Sequence, residues 1–400
     1  MGTVREGFRR EGFRFEDAPM AKDRAAGWSY VRAAGDVIQL ADGTWMLTSP
    51  EAVQFGHRHP EIFSSARAFD GLGSPVPLIP IAIDPPEHLR YRKILDPMLA
   101  PKVINTMEDS LRAQARALIE AFVDNGSCDA VAELARLYPT QVFLTLFGMP
   151  VEDRDQFIHW AETIIEHSSR DSTAELAPEV VECATALFTY LQVCVDEKRA
   201  NPGDDLLSRI LVLEGDDAWT NDELLGMCFL FILAGLDTVT AMIGFVLLHL
   251  ARAPEVRARM VADPALVAPV IEEILRLEQP APTTPRVTTQ DVEVCGTLIP
   301  EGSQVTLVLG TANRDPERFA HPDSIDPAQA DTGHLAFGGG IHRCLGSHLA
   351  RRELRIVVEE FHKLVPEYAV APGAEPEIVF PSGTFHLTAL PLVFGASTRA

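Results

Sequence analysis

The sequence predicts a mainly α-helical protein with a smaller β part. From about residue 86 to 280, apolar side chains recur at three- and four-residue spacing, which is the period of an amphipathic helix. Alternation of apolar and polar residues, the strand period, is confined to short segments in the first and last thirds of the chain. With 46% hydrophobic and 23% charged residues, the 400-residue chain can bury a large core.

The predicted elements follow one another without a linker or an internal repeat. In chain order they are a hairpin at 37–48, helices at 111–126, 140–148, 152–167 and 178–200, strands within 287–310, and a last strand at 386–394. The first of these helices is expected to end at Gly126, because glycine is the usual residue just past a helix C-terminus. Proline-rich runs at 75–86 and 279–285 predict loops.

The longest apolar segment, 224–250, predicts a buried central helix. Thr220 followed by Glu223 is typical of a capping box at its start. The segment is long enough to span a membrane, but Asp237 lies at its middle. An acid costs about 2.5–3.5 kcal/mol there on insertion scales. A core helix is therefore favoured, with a membrane span as the alternative.

The net charge and the spacing of the cysteines argue against several classes of partner and of metal site. Lys and Arg total 34 against 57 Asp and Glu, a net charge of −23, which argues against nucleic acid or an anionic membrane as the partner. The N-terminus lacks the apolar run of a signal peptide. Six cysteines, at 128, 183, 194, 228, 295 and 344, show no zinc-like spacing. Reduced thiols in a cytoplasmic protein are expected.

One cysteine has a distinctive context. Phe337, Gly340, Cys344 and Gly346 form F-x-x-G-x-x-x-C-x-G, followed by an amphipathic helix at 349–364. Glycines let a backbone approach a flat ligand, and a cysteine just before a helix N-terminus is stabilised as thiolate. Such a thiolate suits an axial ligand to haem iron. The alternatives are a buried cysteine in a glycine-rich turn and a phosphate loop, although the G-K-[ST] ending is missing.

The cysteine motif resembles the haem-binding loop of the cytochrome P-450 family, and further motifs occur in that family's order. They are DPPEHLRYRK at 84–93, AGLDT at 234–238, EEILR at 272–276, PR at 285–286 and ANRDP at 312–316. The resemblance covers about residues 40 to 394. It implies a triangular, helix-rich single domain over 1–400 with the long central helix over the haem. Residues 1–36 would be an N-terminal extension and 37–394 the haem-thiolate catalytic fold.

The resemblance also implies a cofactor, haem b, with Cys344 as the iron ligand. The cofactor-binding residues would be His88, Arg92, Ala234, Gly235, Arg286, Phe337, Gly338, His342, Cys344 and Gly346. Among them, His88, Arg92, Arg286 and His342 would bind the haem propionates, which need cations and hydrogen-bond donors. The catalytic pair would be Asp237 and Thr238, delivering protons to bound oxygen. Alternatively, the Thr238 hydroxyl bonds a backbone carbonyl one turn back and bends the helix.

Glu273 and Arg276 are expected to form a buried structural ion pair behind the haem. The family usually adds an arginine five residues before the histidine of HLAFG, where this sequence has Gln329. An amide would then replace a guanidinium beside Glu273, and the usual three-way ionic contact is in doubt.

By resemblance, substrate contacts would come from the loop at 70–83, the central helix and two later segments. The residues are Leu78, Leu233, Ala234, Pro282, Thr283, Thr284, Thr384 and Phe385. Their apolar character favours a hydrophobic substrate such as a terpenoid, a fatty-acid derivative or a sterol-like ring. Alternatively, part of this set is ordinary core.

The implied activity is a monooxygenase that inserts one atom of O2 into an organic substrate. The sequence has no Rossmann, flavin or iron–sulfur motif, so electrons must come from separate proteins, and a ferredoxin with its reductase is expected. An acidic ferredoxin would dock on a basic face formed by Arg343, Arg351, Arg352 and Lys93. A monomer is expected. A peroxide-driven oxygenase and a haem-based sensor without turnover are the rivals, and the Asp237–Thr238 pair disfavours both.

Overall fold

The computed structural model describes residues 13–69, 74, 76–166, 177–380 and 383–395. Within these ranges the helices are α1 Arg24–Ala33, α2 Pro50–Arg58, α3 Glu87–Met98, α4 Pro101–Glu120, α5 Leu137–Leu146, α6 Arg154–Glu166, α7 Pro178–Ala200, α8 Leu206–Leu211, α9 Asn221–Arg252, α10 Pro254–Ala262, α11 Val267–Leu277, α12 Leu309–Ala312 and α13 Ser347–Leu364. The strands are β1 Val37–Gln39, β2 Trp45–Leu47, β3 Phe63–Ser64, β4 Ser127–Asp129, β5 Thr283–Thr288, β6 Val292–Val294, β7 Thr297–Ile299, β8 Gln304–Val308, β9 Tyr368–Val370 and β10 Pro391–Phe394. The predicted class, mainly α with a smaller β part, is confirmed.

Helix α9 is the predicted central helix. It begins with the expected capping box, in which the Thr220 hydroxyl accepts from the Glu223 amide and the Glu223 carboxylate accepts from the Thr220 amide. Among the described residues it is the one helix whose length and apolar composition would suffice to cross a membrane. Core helices meet the same criteria, and most of its apolar window is buried, with α5, α7, α11 and α13 among its neighbours.

The strands form one larger sheet and two small ones. The larger sheet has the order β1-β2-β8-β5-β3, in which only β2 and β8 pair in parallel. The predicted hairpin at 37–48 is present as β1 and β2, with Val37 opposite Leu47. A second sheet joins β4, β10 and β9, and β6 pairs with β7. Strand β4 follows Gly126 directly and was absent from the prediction.

Several predicted boundaries differ from the structure: α5 lies at 137–146 instead of 140–148, α6 at 154–166 instead of 152–167, the last strand begins at 391 instead of 386, and β5 begins within the loop expected at 279–285. The largest difference is at α4. The helix expected at 111–126 begins ten residues earlier, because Pro101 fits the first helical turn and buried Ile104 extends the apolar face. It ends at Glu120, and Gly126, at φ 72°, follows a separate single turn of 3₁₀ helix, Val123–Asn125. By contrast, α7 has the predicted bounds of 178–200.

Residues 13–36 belong to the packed core, unlike the extension expected for 1–36. Met20, Trp28 and Val31 are buried in the largest hydrophobic cluster. A Cβ at Gly310 would lie 2.3 Å from the Trp28 ring, so α1 and α12 pack closely because this position has no side chain. No local pattern predicts this contact, since it joins segments that are distant in the chain.

Candidate active site

A cavity of about 320 Å³ lies between α9 and the loop that precedes α13. Ala234, Gly235 and Thr238 of α9 line one side, and the segment from Ala336 to Gly346 lines the other. All the residues predicted to bind a cofactor meet at this cavity: His88, Arg92, Ala234, Gly235, Arg286, Phe337, Gly338, His342, Cys344 and Gly346. The cavity thus joins α3, α9, β5 and the cysteine loop.

Cys344 lies two residues before Gly346, which is the N-cap of α13. Its side chain is accessible from within the cavity that it lines. Burial raises the pKa of the Cys344 thiol, while the Gly346 backbone amide and the guanidinium groups of Arg92 and Arg351 lower it. The groups that stabilise a thiolate are therefore in place, and a bound cation would complete that stabilisation.

The glycines of the cysteine motif serve two different purposes. A Cβ at Gly340, where φ is 63°, would lie 2.0 Å from the carbonyl oxygen of His57. The glycine-rich loop therefore approaches the end of α2, in addition to the flat ligand for which it was predicted. At Gly235 and Gly346 no atom lies within 4 Å of the Cβ position, and both residues line the cavity. A side chain at either position would take up cavity volume.

One edge of the cavity is a buried cluster of cationic and imidazole groups, namely His57, His88, Arg92, Arg286 and His342. The rings of His88 and His342 lie 4.4 Å apart. Burial lowers the pKa of Arg286 to about 10, and Asp84 opposes this shift. Burial, with neighbouring arginines, also lowers the pKa of His57 and His88 to about 4 and that of His342 to about 3. Arg92 pairs with Asp96 at 2.8 Å, whereas Arg286 has no ion pair among the described residues, so the cluster carries a positive charge that no carboxylate neutralises.

Several polar atoms at this cavity have no hydrogen-bond partner among the described residues. They are both ring nitrogens of His57 and of His88, Nε2 of His342, Oγ1 of Thr284 and Oε2 of Glu353. An unsatisfied buried polar group costs about 1–3 kcal/mol. Their convergence on one cavity therefore indicates a ligand with its own polar, and predominantly anionic, groups.

These features fit a haem. A flat ring needs walls without side chains, as at Gly235 and Gly346, and two propionates need donors such as His57, His88, Arg92, Arg286 and His342. Cys344 supplies the thiolate. The residues to hold the cofactor are thus all present at one cavity.

His57 is a residue that the sequence analysis missed. It lies in the last turn of α2, within an ordinary amphipathic helix, and carries no local motif. Only the packing of α2 against the glycine loop brings it to the cavity. Glu353 was also missed as a cavity residue. Burial raises the pKa of its carboxyl group well above the usual range.

The predicted catalytic pair is divided between two environments. Thr238 lines the cavity, and its hydroxyl donates to the Ala234 carbonyl at 2.7 Å, which is the local hydrogen bond that the alternative reading expected. Asp237 lies behind the cavity wall, where its carboxyl group is hydrogen-bonded to Thr384. Burial raises the pKa of Asp237, and Thr384 and His386 lower it.

Of the residues predicted to contact substrate, Ala234 and Thr284 line the cavity. The others lie outside its lining: Leu78, Leu233, Pro282, Thr283, Thr384 and Phe385. In β5, side chains alternate, so Thr284 and Arg286 face the cavity while Thr283 faces away. Phe385 is core, stacked near Trp28. Residues 70–73 and 75 of the predicted substrate loop lie outside the described residues.

The apolar lining comes largely from residues that were not predicted individually, although Pro80 and Ile81 belong to the loop at 70–83 that was expected to contact substrate. These lining residues are Pro80, Ile81, Leu99, Leu230, Phe231, Val239, Met242, Leu275, Pro280, Ala281 and Leu309. Loop residues Pro80 and Ile81 reach the cavity because the preceding segment lies directly on α9. A Cβ at Gly226 would lie 2.0 Å from the Pro77 carbonyl oxygen.

Glu273 and Arg276 form the predicted buried ion pair, with Nε–Oε1 at 2.8 Å and Nη2–Oε2 at 2.9 Å. Gln329 donates its amide to Glu273 at 2.8 Å, as the substitution for arginine implied. Arg276 also donates to the backbone carbonyls of Asn313 and Pro322. The guanidinium thus ties α11 to the segment that leads into the cysteine loop.

The basic face is less positive than its sequence suggests. Arg351 pairs with Glu272 at 2.6 Å, and Arg352 pairs with Glu108. Arg343 and Lys93 are exposed and have no ion pair among the described residues. These two residues hold the unpaired positive charge of the predicted face.

Comparison with known proteins agrees with this geometry. The family model described as Cytochrome P450 matches residues 44–388. The chain is 32% identical to the vitamin D(3) 25-hydroxylase of Pseudonocardia autotrophica, covering 92% of this chain and 93% of the relative. It is 34% identical to the erythromycin C-12 hydroxylase of Saccharopolyspora erythraea, covering 82% and 84%.

Solved structures show the same architecture. CYP109E1 from Bacillus megaterium in complex with testosterone superposes with a TM-score of 0.83, at 27% identity, over 92% of this chain and 97% of the other. The family match, the relatives and the fold thus agree with the chemistry of the cavity, which is lined by a cysteine, a cationic edge and an apolar wall. The chain belongs to the cytochrome P450 family and is a haem-dependent monooxygenase.

Proposed function

We propose that this P450 hydroxylates a hydrophobic, sterol-like or related lipid substrate, with electrons supplied by a ferredoxin and its reductase. The observation that carries the proposal is one cavity that joins Cys344, two arginines, three histidines with ring nitrogens that lack a partner among the described residues, and an apolar wall. One oxygen atom of O2 enters a C–H bond and the other leaves as water. Two electrons and two protons are consumed in each turnover.

When bound, the haem supplies the iron at which oxygen is activated. Cys344 would ligate it, and His57, His88, Arg92, Arg286 and His342 would hold its carboxylates. Thr238 would hold a proton at the cavity, on the wall opposite the cysteine loop. The apolar wall around Leu230 and Phe231 would exclude water, so that the substrate is oxidised in a dry site.

The substrate class follows from the lining and from the relatives. The wall is apolar, and the Thr284 hydroxyl is a buried polar group without a partner among the described residues. A neutral ring system with one hydroxyl or carbonyl group would satisfy both. Relatives support this class, because one is named for vitamin D(3) and another was solved with testosterone. Terpenoids and fatty-acid derivatives remain in the panel of compounds to be tested.

The test uses the holoenzyme with testosterone, cholecalciferol, limonene and dodecanoic acid as probes. Wild type should show the reduced-CO absorbance shift, and Cys344→Ser should lose it. At least one steroid probe should displace the Soret band, and Thr284→Val should weaken its binding by about fivefold, the value of one neutral hydrogen bond. Displacement by dodecanoic acid alone would contradict the substrate class, and an unchanged CO spectrum in Cys344→Ser would contradict the cofactor assignment.

We also propose that Arg343 and Lys93 dock the acidic ferredoxin, because they hold the unpaired charge of this face. Arg343→Glu and Lys93→Glu should slow haem reduction by a surrogate ferredoxin and reduce its salt dependence. Arg259→Glu, on exposed α10, is the control and should leave both unchanged. Equal rates in all three variants would contradict this docking site.

Two rival functions are tested in the same preparation. Turnover with hydrogen peroxide that matches or exceeds ferredoxin-driven turnover would favour a peroxide-driven oxygenase. Ligand binding without product from any probe would favour a haem-based sensor.

We further propose a cytoplasmic monomer with one catalytic domain. All six cysteines are free, which suits a reducing compartment, and sedimentation analysis of the holoenzyme tests the monomer.

A further inference from the structure

Asp237 faces away from the cavity, toward the last segment of the chain before β10. Its carboxyl group is hydrogen-bonded to the Thr384 side chain, and the charge of His386 acts on it. Its neighbour in sequence, Thr238, faces the cavity instead. Adjacent residues of α9 therefore connect two regions, the oxygen-binding side of the cavity and the segment 384–386.

The segment 384–386 is held in place by its backbone. The Phe385 amide donates to the Pro280 carbonyl at 2.8 Å, and the Val379 amide donates to the His386 carbonyl at 3.0 Å. Leu387 lies against α9, with its Cδ1 at 3.4 Å from the Cβ position of Gly244. The distance between this segment and Asp237 is thus set by packing on α9.

The side chains of this segment suit proton transfer. Nδ1 of His386 lies 3.1 Å from the Thr384 carbonyl oxygen, which orients the ring. His386 is partly exposed, so water can reach its ring, and an imidazole ring can both accept and donate a proton. The Thr384 hydroxyl can donate and accept at the same time. Asp237 is partly buried, and Thr384 and His386 are the polar groups that act on its carboxyl group among the described residues.

We propose that Thr384 and His386 are positioning residues for Asp237 and form the route by which protons enter from solvent toward Thr238. The inference deepens the proposed function and rests on it. A proton that His386 takes up from solvent passes to the Thr384 hydroxyl, which donates its own proton to the Asp237 carboxylate. Asp237 becomes a carboxylate again when it releases that proton toward Thr238. The route carries protons and no electrons, and it supplies the two protons that each turnover consumes.

Three variants and one control separate this role from a structural one. Thr384→Val removes the hydroxyl and keeps the shape, Thr384→Ser restores it, and His386→Gln removes the titratable ring. His321→Gln, at an exposed histidine far from α9 in sequence, is the control. Each variant is first required to give the reduced-CO absorbance shift, so a failure of the proposed function is seen before the inference is tested.

The first readout needs no substrate. The infrared carbonyl band of protonated Asp237, assigned by its loss in Asp237→Asn, is titrated in each holoenzyme. In Thr384→Val and His386→Gln its midpoint should rise, because each substitution removes a group that favours the carboxylate. Thr384→Ser and His321→Gln should leave the midpoint unchanged. A midpoint that does not move in Thr384→Val or His386→Gln would overturn the proposal.

The second readout is the fate of electrons with the probe that gives the largest Soret displacement. The share recovered as hydrogen peroxide should rise several-fold in Thr384→Val and His386→Gln and remain near wild type in Thr384→Ser. Turnover driven by added hydrogen peroxide should be unchanged, because that oxidant brings both protons with it. Equal losses in ferredoxin-driven and peroxide-driven turnover would assign these residues a purely structural role and overturn the proposal.

Discussion

At the scale of single residues, the site is defined by atoms that lack partners. His57 shows this most clearly, since neither ring nitrogen has a hydrogen-bond partner among the described residues although the side chain is buried. No motif marks this histidine, whereas Cys344, His88 and Arg286 all lie in recognisable segments. A residue of this kind becomes functional only through the groups that tertiary packing places beside it.

His57→Phe should therefore weaken haem retention without changing the fold. One hydrogen bond to a carboxylate contributes about 1.5–3 kcal/mol, so transfer of haem to an apoprotein acceptor should become faster by about tenfold or more. His59→Phe is the matched control, because this exposed histidine pairs with Glu61 outside the cavity. If both variants lost haem at the wild-type rate, His57 would have no role in holding the cofactor.

At the scale of elements, the period of the sequence predicted helices well and their boundaries less well. The apolar pattern of α7 gave its bounds, while α4 extends ten residues upstream because Pro101 begins a helix instead of preceding one. Strand β4, three residues long, carries no alternating pattern and is created by pairing with β10. Short strands of this kind depend on a distant partner, which a local pattern does not contain.

Two glycines of the cysteine loop, Gly340 and Gly346, are expected to respond differently to replacement by alanine. Gly340→Ala places a Cβ against the His57 carbonyl and forces a residue with a side chain to φ 63°. It should lower the stability of apoprotein and holoenzyme alike by about 1–3 kcal/mol. Gly346→Ala meets no atom and should leave the apoprotein stable, yet reduce haem uptake by filling the cavity. Urea unfolding and haem titration check the two effects; identical behaviour of the two variants would contradict the division of roles.

At the scale of the whole molecule, buried and half-buried ion pairs join distant segments. Arg24 of α1 pairs with Glu278 after α11 at 2.8 Å, and Glu272 pairs with Arg351 of α13. Burial alone would raise the pKa of Glu278 and Glu272. At Glu278, the lowering of the pKa by Arg24 and His249 exceeds the effect of burial, and the pKa lies at about 2. At Glu272, His334 and Arg351 lower the pKa to about 2 in the same way.

These two carboxyl groups predict the acid sensitivity of the fold. Their pKa values in the folded protein lie below the usual 4.5, so the stability they contribute is complete above about pH 4.5 and is lost as the pH falls toward 2. Each accounts for about 3 kcal/mol at neutral pH. Urea midpoints measured between pH 7 and pH 3 should fall below pH 4.5, and less steeply in Glu278→Gln. An equal decline in wild type and variant would contradict this origin.

The sequence by itself determined the helical class, the central helix with its cap, the haem-ligating cysteine and the order of the motifs around it. These features are local, because helix period, capping and the residues flanking Cys344 are read within a few positions of the chain. Tertiary structure alone decided that His57 and Glu353 face the cavity, that Asp237 turns away from it toward Thr384, and that residues 13–36 belong to the core. The physical reason is that burial and unpartnered polar atoms are properties of packed neighbours, and those neighbours are supplied by segments far apart in sequence.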